Sequence, residues 1–562
     1  MLTDIVKWKN YKDLDETLKK ELDSFTEEDY YEAFYTDLAF GTGGMRGILG
    51  PGTNRMNIYT MRRANYGYGQ YILQTKKANP SAVIAYDCRH NSRLFAEESA
   101  RVLATMGIKV LLFDKITPTP ELSFAVRELK ATGGIVITAS HNPPNYNGYK
   151  IYDDFGCQLV PDLADIVIDE IAKAPDAFQI DVESFASLKQ KGYIEIVDDS
   201  IDTAYLNKVK SIRVHPDLNK ENFLVVFTPL HGTSSLLGQR LLQETGYSCI
   251  PVVEQMVADP NFSTVSSPNP ENKEAFDLAI AYAKKHHADI CIATDPDADR
   301  MGIAVNHQGN YVLLTGNQTG AILIQYLAKY RTLKKKGVLF NTIVTSPLGA
   351  AIARKYHLDV ISTLTGFKYI GEQAKLLENT EREFFFGYEE SYGYVVSDFV
   401  RDKDSLQALL LCSEVACYYK NQGKTLVDVL EEIYQEYGYY HDHLINITLT
   451  GASGAQKIEE ILNYFHNEKQ SNFQGLKIVA KEDYLLQQRF ENNQTTKLAL
   501  PKANVIKYFL DDGSWFVLRP SGTEPKMKVY ISVVTNSRHD SILRSKEIEQ
   551  KVMELINHIK GE

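Results

Sequence analysis

Residues 138–150 place a serine hydroxyl beside groups that bind anions. Ser140 follows a run of small and branched apolar residues that predicts a short buried strand. It therefore lies just past the carboxyl end of a strand, which is the usual position of sites in α/β proteins. A hydroxyl there can act as a nucleophile, and His141, Asn147 and Lys150 supply donors and a positive charge. Taken alone, the segment is more typical of a polar turn rich in Asn, Pro and Gly.

Three carboxylates alternate along a second loop, at Asp295, Asp297 and Asp299, directly after another apolar run. Carboxylates spaced in this way on a curved loop can converge on one hard cation, and Mg²⁺ combines a few carboxylates with phosphate oxygens. A calcium loop of the EF-hand type needs Gly at its sixth place and Glu at its twelfth, where this chain has Arg300 and Asn306. The pattern excludes that calcium loop and leaves a magnesium site, a glycosyltransferase-type metal site or a solvated acidic turn.

A third loop, residues 387–393, carries Glu389 and Ser391 between two glycines, again at the end of a strand-like run. A carboxylate and a hydroxyl two residues apart offer acceptors and a donor in a fixed arrangement. Such an arrangement suits a pair of sugar hydroxyls.

A fourth loop, residues 519–526, has the composition of a phosphate cradle. Its small residues let successive backbone N–H groups point at one anion, while Arg519 adds a charged fork. Ser521 and Thr523 add hydroxyls, and Gly522 allows close approach of the backbone. As a single motif this loop is weak, because many turns contain these residue types.

Together the four loops resemble those of the α-D-phosphohexomutases. Every position of that family's serine loop, Thr-Ala-Ser-His-Asn-Pro followed by Asn-Gly and Lys, is filled here. The resemblance implies that Ser140 is carried as phosphoserine and that its phosphate joins the three aspartates as a metal ligand. It also implies that Glu389 and Ser391 bind the hexose and that the Arg519 loop binds a phosphate. Tyr392 stands where members that accept both glucose and mannose tend to have His, which favours glucose.

Smaller matches to the family assign further residues. Arg46, in a glycine-rich segment, is expected near the phosphoserine, and Lys368 and Lys403 are candidates for proton transfer. The segment around Arg46 lacks the Lys-Ser/Thr end of a nucleotide-binding P-loop, so an ATPase is rejected. The catalytic candidates are Ser140, His141, Arg46, Lys150, Lys368 and Lys403. The remaining substrate-binding candidates are Arg89, Arg300, Thr365 and Gly366.

The implied reaction interconverts α-D-glucose 1-phosphate and glucose 6-phosphate, with one Mg²⁺ and with glucose 1,6-bisphosphate as activator. Within the family, action on pentose phosphates or mannose phosphates and synthesis of the bisphosphate are the alternatives. From other classes, a Mg²⁺-dependent sugar phosphatase and a glycosyltransferase remain. Neither explains why two separate phosphate sites, at Ser140 and Arg519, should accompany a sugar loop.

Composition is that of an ordinary globular protein. The chain has 562 residues and a formal net charge of −11, so its overall field repels nucleic acid and sugar phosphates alike, and local cations must capture any anion. No run approaches the roughly 18 apolar residues of a membrane span, and the start lacks a signal-peptide core. We expect a cytoplasmic monomer or homodimer, with the six cysteines reduced.

The order of the predicted elements indicates an α/β fold. Strands are predicted at 83–86, 109–113, 135–137, 225–227, 290–294, 338–344 and 359–363, with helical patterns at 11–25 and 273–285. Strands at 444–449, 515–518 and 529–533 and a closing helix predict a final α+β region. With the family resemblance, this gives three similar mixed α/β domains (1–205, 206–318, 319–438) and a smaller C-terminal α+β domain (439–562) around a central cleft.

Overall fold

The computed structural model describes residues 1–41, 44–449, 451–467, 472–473, 475–520 and 526–560. The chain forms two compact units. The first comprises Met1–Thr319, Tyr330–Val338 and Phe367–Leu426, and the second comprises Gly320–Lys329, Leu339–Gly366 and Val427–Glu562.

Three short helices, α1 (Leu2–Asn10), α2 (Glu16–Asp23) and α3 (Glu27–Phe34), open the chain. The predicted helix over 11–25 is wrong in extent, because the Asp15 carboxylate caps α2 and Thr26 caps α3, so the chain turns between them. Their apolar faces bury Trp8 and Phe34 against Tyr59 of the following domain.

The first sheet carries the serine loop. Its elements are β1 (Gly44–Ile48), α4 (Ile58–Gln74), β2 (Ser81–Tyr86), α5 (Ser92–Thr105), β3 (Lys109–Phe113), α6 (Thr119–Glu128), β4 (Gly133–Ile137), β5 (Tyr146–Tyr152), α7 (Pro161–Ala172), α8 (Phe185–Gln190), β6 (Ile194–Val197) and α9 (Ser200–Lys210). The strand order is β1-β5-β4-β2-β3-β6. Strands β2, β3, β4 and β6 are parallel, as alternation of strands and helices predicts, whereas β5 runs antiparallel to both β4 and β1. The serine loop therefore joins two antiparallel neighbours.

The second sheet carries the metal loop. It is built from β7 (Leu224–Thr228), α10 (Ser234–Glu244), β8 (Ser248–Pro251), α11 (Asp277–His286), β9 (Ile290–Thr294), β10 (Met301–His307) and β11 (Asn310–Leu314), in the order β11-β10-β9-β7-β8. The helix predicted over 273–285 begins as a 3₁₀ turn at Lys273–Phe276. It ends at His287, whose left-handed backbone (φ 54°) stops it. The metal loop joins β9 to the antiparallel β10.

Residues 316–437 contain α12 (Gly316–Tyr330), β12 (Lys336–Thr342), α13 (Pro347–Lys355), β13 (Asp359–Thr363), α14 (Phe367–Leu376), β14 (Arg382–Tyr388), β15 (Tyr394–Val395), α15 (Ser405–Lys420) and α16 (Leu426–Tyr437). Within the first unit, β14 and β15 pair antiparallel, with Gly387 opposite Val395, and the sugar loop connects them. The strand predicted at 338–344 begins and ends two residues earlier, while that at 359–363 is confirmed.

The C-terminal region of the second unit is α+β, as predicted. It consists of β16 (Tyr439–Thr448), α17 (Gly451–Asn467), β17 (Asn472–Phe473), β18 (Leu476–Asp483), β19 (Gln488–Glu491), β20 (Gln494–Lys497), β21 (Ile506–Leu510), β22 (Trp515–Pro520), β23 (Lys526–Thr535) and α18 (Arg538–Lys560). The main sheet is antiparallel, in the order β16-β23-β22-β21-β18-β19-β20. Apolar residues of α17 and α18 form one core with its strands. Among the described helices, none has the length and apolar character to cross a membrane.

Candidate active site

Ser140 lies three residues beyond Ile137, the last residue of β4. Its backbone is left-handed (φ 51°), a strained conformation for a residue with a side chain, and its N–H is held by the Thr138 hydroxyl at 2.8 Å. This backbone directs Oγ toward Asp295, whose Oδ2 accepts a hydrogen bond at 2.6 Å, with His141 Nδ1 at 3.1 Å. Only 3% of Ser140 is exposed. Its buried hydroxyl lies beside both a carboxylate and an imidazole.

Arg89 supports the serine loop through hydrogen bonds to its backbone. Its guanidinium donates to four loop carbonyls, those of Ser140, Asn142, Pro143 and Tyr146. Its Nε lies 3.4 Å from Asp87 Oδ2, and its Cζ lies 4.9 Å from the centre of the Phe262 ring. In this structure Arg89 supports the backbone around the nucleophile, and its predicted contact with substrate stays a prediction.

The three aspartates of the metal loop converge as predicted. Asp295, Asp297 and Asp299 are buried, and each offers an oxygen within 4.8 Å of the others. Among the described residues, Oδ1 of Asp297 and Oδ1 of Asp299 have no hydrogen-bond partner. Buried carboxylates this close repel one another unless a cation neutralises them, and an all-oxygen set suits a hard divalent ion. The residues therefore fit a metal ion.

Two lysines partly neutralise this loop. Lys150 Nζ lies 2.8 Å from Asp297 Oδ2 and 3.2 Å from Asp299 Oδ2, and Lys403 Nζ lies 3.0 Å from Asp299 Oδ2. Burial, together with the two neighbouring carboxylates, raises the pKa of Asp295 well above its usual range. Burial would raise the pKa of Asp297 too, but the charge of Lys150, hydrogen bonds with Asp295 and Lys150 and the charge of Lys403 together outweigh it, so that pKa is lowered. Burial alone would lower the pKa of each lysine, but the neighbouring carboxylates raise the pKa of Lys150 and that of Lys403. Both lysines are therefore cationic.

His141 is a neutral imidazole in this setting. Burial lowers its pKa well below the usual value, and the charges of Arg300 and Arg46 lower it further. Arg46 donates from Nη1 to the Asn142 side chain of the serine loop at 2.8 Å, and its predicted approach to the phosphoserine stays a prediction. Arg300 pairs with Glu271, and its Nε lies 3.8 Å from Asp299 Oδ1.

The sugar loop is bonded directly to the end of the metal loop. The Met301 N–H donates to the Tyr392 carbonyl at 3.0 Å, and Arg300 and Gly393 form an isolated bridge. Glu389 is 4% exposed and its N–H donates to the Gly393 carbonyl at 2.9 Å. A Cβ on Gly393 would lie 2.2 Å from Cδ of Lys403, so this loop, the metal loop and Lys403 are packed as one cluster. Ser391 is half-buried beside Glu389.

The other predicted residues fall in separate places. Lys368 lies in the first turn of α14 in the first unit, 9% exposed, and its role stays a prediction. Thr365 and Gly366 belong to the second unit, and Gly366 has a φ of 121° that favours glycine. Arg519 is half-buried on β22, with Nη1 3.5 Å from the Tyr530 hydroxyl. Ser521, Gly522 and Thr523 lie outside the described residues.

Sequence reasoning missed two residues that contact the metal loop from other elements. The Thr119 hydroxyl donates to Asp297 Oδ2 at 3.1 Å, and the Ser405 hydroxyl donates to the Ala298 carbonyl at 2.6 Å. Both residues open helices, and the helix-start signals were present: Pro at position 120 and the capping residue Asp404. These signals predict a helix, but they do not say what the helix start faces.

Family comparisons agree with this geometry over the length of the chain. Models of the phosphoglucomutase/phosphomannomutase alpha/beta/alpha domains I, II and III match residues 37–177, 203–309 and 315–437, and the model of its C-terminal domain matches residues 444–543. The chain belongs to the phosphoglucomutase/phosphomannomutase family. Its mutases are isomerases, and the family resemblance inferred from the four loops is confirmed.

Relatives of this family member span nearly its whole length. A protein named phosphoglucomutase from Staphylococcus haemolyticus (strain JCSC1435) is 39% identical over 559 residues, which is 99% of each chain. Another of that name from Staphylococcus aureus (strain MRSA252) is 41% identical over 506 residues, 89% of this chain and 90% of its own.

Solved structures show the same fold at lower identity. A putative phosphomannomutase from Thermus thermophilus superposes with a TM-score of 0.69 at 22% identity, covering 93% of this chain and 99% of its own. The phosphoprotein pp63/parafusin from Paramecium does so with a TM-score of 0.70 at 18% identity, covering 94% of this chain and 96% of its own.

Proposed function

We propose that this family member interconverts α-D-glucose 1-phosphate and glucose 6-phosphate through a phosphoryl group carried on Ser140. The observation that carries the proposal is the serine hydroxyl 2.6 Å from Asp295, within a buried cluster of three carboxylates and two lysines. The relatives named phosphoglucomutase, at 39% and 41% identity, support glucose phosphates as substrates.

In the proposed cycle, the bond between phosphorus and Ser140 Oγ breaks as a bond forms from phosphorus to a free hydroxyl oxygen of the sugar monophosphate. The hydroxyl proton passes to a neutral base, a role that the unprotonated His141 fits better than the cationic Lys150 or Lys403. Those two lysines stabilise charge on the transferring oxygens. The base then passes this proton to the leaving Ser140 oxygen, which lies 3.1 Å from His141 Nδ1, so the serine becomes a free hydroxyl. The bisphosphate turns, Ser140 Oγ attacks the other phosphorus as its bond to the sugar oxygen breaks, and the serine proton returns through the base to that sugar oxygen. No water is consumed.

Asp295, Asp297 and Asp299, with the Ser140 phosphate, would hold one Mg²⁺. When bound, it would neutralise negative charge on the transferring phosphoryl oxygens. We assign Glu389 and Ser391 to the sugar hydroxyls, and Arg519, Ser521, Gly522 and Thr523 to the phosphate that is not reacting. Glucose 1,6-bisphosphate, the intermediate of this cycle, is the proposed activator.

A substrate panel tests the proposal. The purified protein is assayed with 1-phosphates of glucose, mannose and ribose, with and without glucose 1,6-bisphosphate, while isomer product and free phosphate are followed separately. We expect conversion of glucose 1-phosphate, stimulated by the bisphosphate, with little free phosphate. Release of free phosphate as the main product would indicate a phosphatase, and preference for ribose phosphate would indicate a pentose phosphate mutase.

A further inference from the structure

Three successive carbonyls of the metal loop are each bonded to the start of a different helix. The Pro296 carbonyl accepts from Thr233 N at 2.8 Å, that of Asp297 from Thr119 N at 2.9 Å, and that of Ala298 from Ser405 N at 3.2 Å. These donors lie at the starts of α10, α6 and α15. Helix starts carry unpaired N–H groups and the positive end of the helix dipole, so all three stabilise an acidic loop.

Two of these helix starts come from outside the domain of the metal loop, and each adds a side-chain bond. Thr119 Oγ1 donates to Asp297 Oδ2 at 3.1 Å, and Ser405 Oγ donates to the Ala298 carbonyl at 2.6 Å. Both residues are buried, at 0% and 1% exposure. Bulk water therefore does not compete for the hydrogen bonds of either hydroxyl.

The backbone at Ala298 explains why these bonds matter. Its φ is 59°, a left-handed conformation that an alanine keeps only when its surroundings hold it there. Ala298 separates Asp297 from Asp299, so its conformation sets the directions of both carboxylates. Two donors from Ser405 hold the Ala298 carbonyl, and two from Thr119 hold Asp297 at both its carbonyl and its carboxylate.

We propose that Thr119 and Ser405 are positioning residues that set the affinity of the aspartate cluster for its divalent cation. They bind neither substrate nor metal. They hold the loop so that the carboxylates are already convergent before the cation arrives, and this lowers the cost of ordering them on binding. The inference rests on the metal site of the proposed function.

The test compares Thr119→Val and Ser405→Ala with the wild-type protein. Each is stripped with chelator, matched by intact mass for its level of serine phosphorylation, and titrated with MgCl₂ by calorimetry and by the rise in Tm. We expect about ten-fold weaker Mg²⁺ binding in each variant, as is typical when a residue supporting a metal ligand is lost. Saturating MgCl₂ should restore most of kcat, and Thr119→Ser should bind Mg²⁺ close to the wild-type level.

Ser413→Ala and Thr245→Val are matched controls. Both side chains are buried, but among the described residues their hydroxyls bond only to carbonyls of their own helices, α15 and α10. Wild-type Mg²⁺ affinity in Thr119→Val would overturn the proposal for that residue even if Ser405→Ala failed to fold. Equal weakening in the controls would overturn it as well, because general loosening would then be the cause. A wild-type protein that binds no Mg²⁺ would instead refute the metal site itself.

Discussion

The serine and metal loops of the first unit differ from the Arg519 strand of the second in how firmly their polar groups are held. Ser140 and the three aspartates are buried, and other elements of the chain bond to them or to their backbone at 2.6 to 3.2 Å. Arg519 is half-buried, with its guanidinium 3.5 Å from Tyr530, at the limit of a hydrogen bond. Among the described residues, this difference fits the proposal of a pre-organised centre for phosphoryl transfer and of a less firmly held cation at the phosphate site.

Replacing the proposed nucleophile should have the largest effect. Ser140→Ala removes the only atom proposed to carry the phosphoryl group, so turnover of glucose 1-phosphate should fall by at least about 10⁴-fold. Intact mass should show no phosphoryl group after incubation with glucose 1,6-bisphosphate. Ser413→Ala, a buried serine of α15, is the control and should keep wild-type activity. Substantial mutase activity in Ser140→Ala would show that the buried centre does not carry the chemistry.

Replacing one of the three clustered aspartates should have the second-largest effect. Asp297→Asn keeps the shape of the side chain but removes a charge that would bind the cation, so activity should fall by about 10²-fold or more. Chelator should abolish wild-type activity and MgCl₂ should restore it. Asp277→Asn, at an exposed carboxylate of α11, is the control. Full activity in chelator, or full recovery with Ca²⁺ alone, would contradict the magnesium site.

Arg519→Ala tests whether the Arg519 strand binds the phosphate that is not reacting. Losing a charge-assisted bond worth about 1.5 to 3 kcal/mol should lower kcat/KM about ten-fold or more, while Ser140 still becomes phosphorylated. The variant should also need more added glucose 1,6-bisphosphate, because the intermediate escapes more often. Arg489→Ala, in the same sheet, is the control. Unchanged kinetics and activator requirement would show that Arg519 is only a surface cation.

The smallest expected effect concerns the sugar. An axial 2-hydroxyl, as in mannose, should leave part of the Glu389 and Ser391 pair unsatisfied, at a cost of about 1 to 3 kcal/mol. Glucose 1-phosphate should therefore exceed mannose 1-phosphate by roughly five- to 150-fold in kcat/KM. Glu389→Ala should narrow that ratio, with Glu390→Ala as a neighbouring control. Equal efficiency on the two sugars in the wild-type protein would contradict the assignment.

Some of the strands were predictable in both place and length. Those at Lys109–Phe113, Ile290–Thr294 and Asp359–Thr363 begin and end where the pattern predicts. The extent of the N-terminal helix was not predictable from its apolar spacing. The side chain of Asp15 caps one helix inside the predicted range, and that of Thr26 caps a separate helix just after it. Periodicity reports which face is buried, whereas helix ends depend on single hydrogen bonds.

Much of the candidate site was also visible in the sequence. Ser140 and the aspartates lie in loops that begin at the ends of strands, so their residue types and spacing were enough to predict a nucleophile and a metal loop. The roles of Thr119 and Ser405 were not visible, since they lie 178 and 107 residues from their partners along the chain. The bonds from Arg89 to four carbonyls of the serine loop were not visible either, and its predicted contact with substrate stays a prediction.

The sequence by itself determined the family, the α/β and α+β regions and which groups are proposed to react, because these depend on local patterns and on motifs that are contiguous. Only the tertiary structure decided which group faces which. It brought Ser140 to Asp295, bonded the sugar loop to the metal loop and kept Ala298 left-handed between two carboxylates. The reason is physical: burial makes each unpaired polar group costly, so long-range partners that no local pattern specifies determine the conformation of these loops.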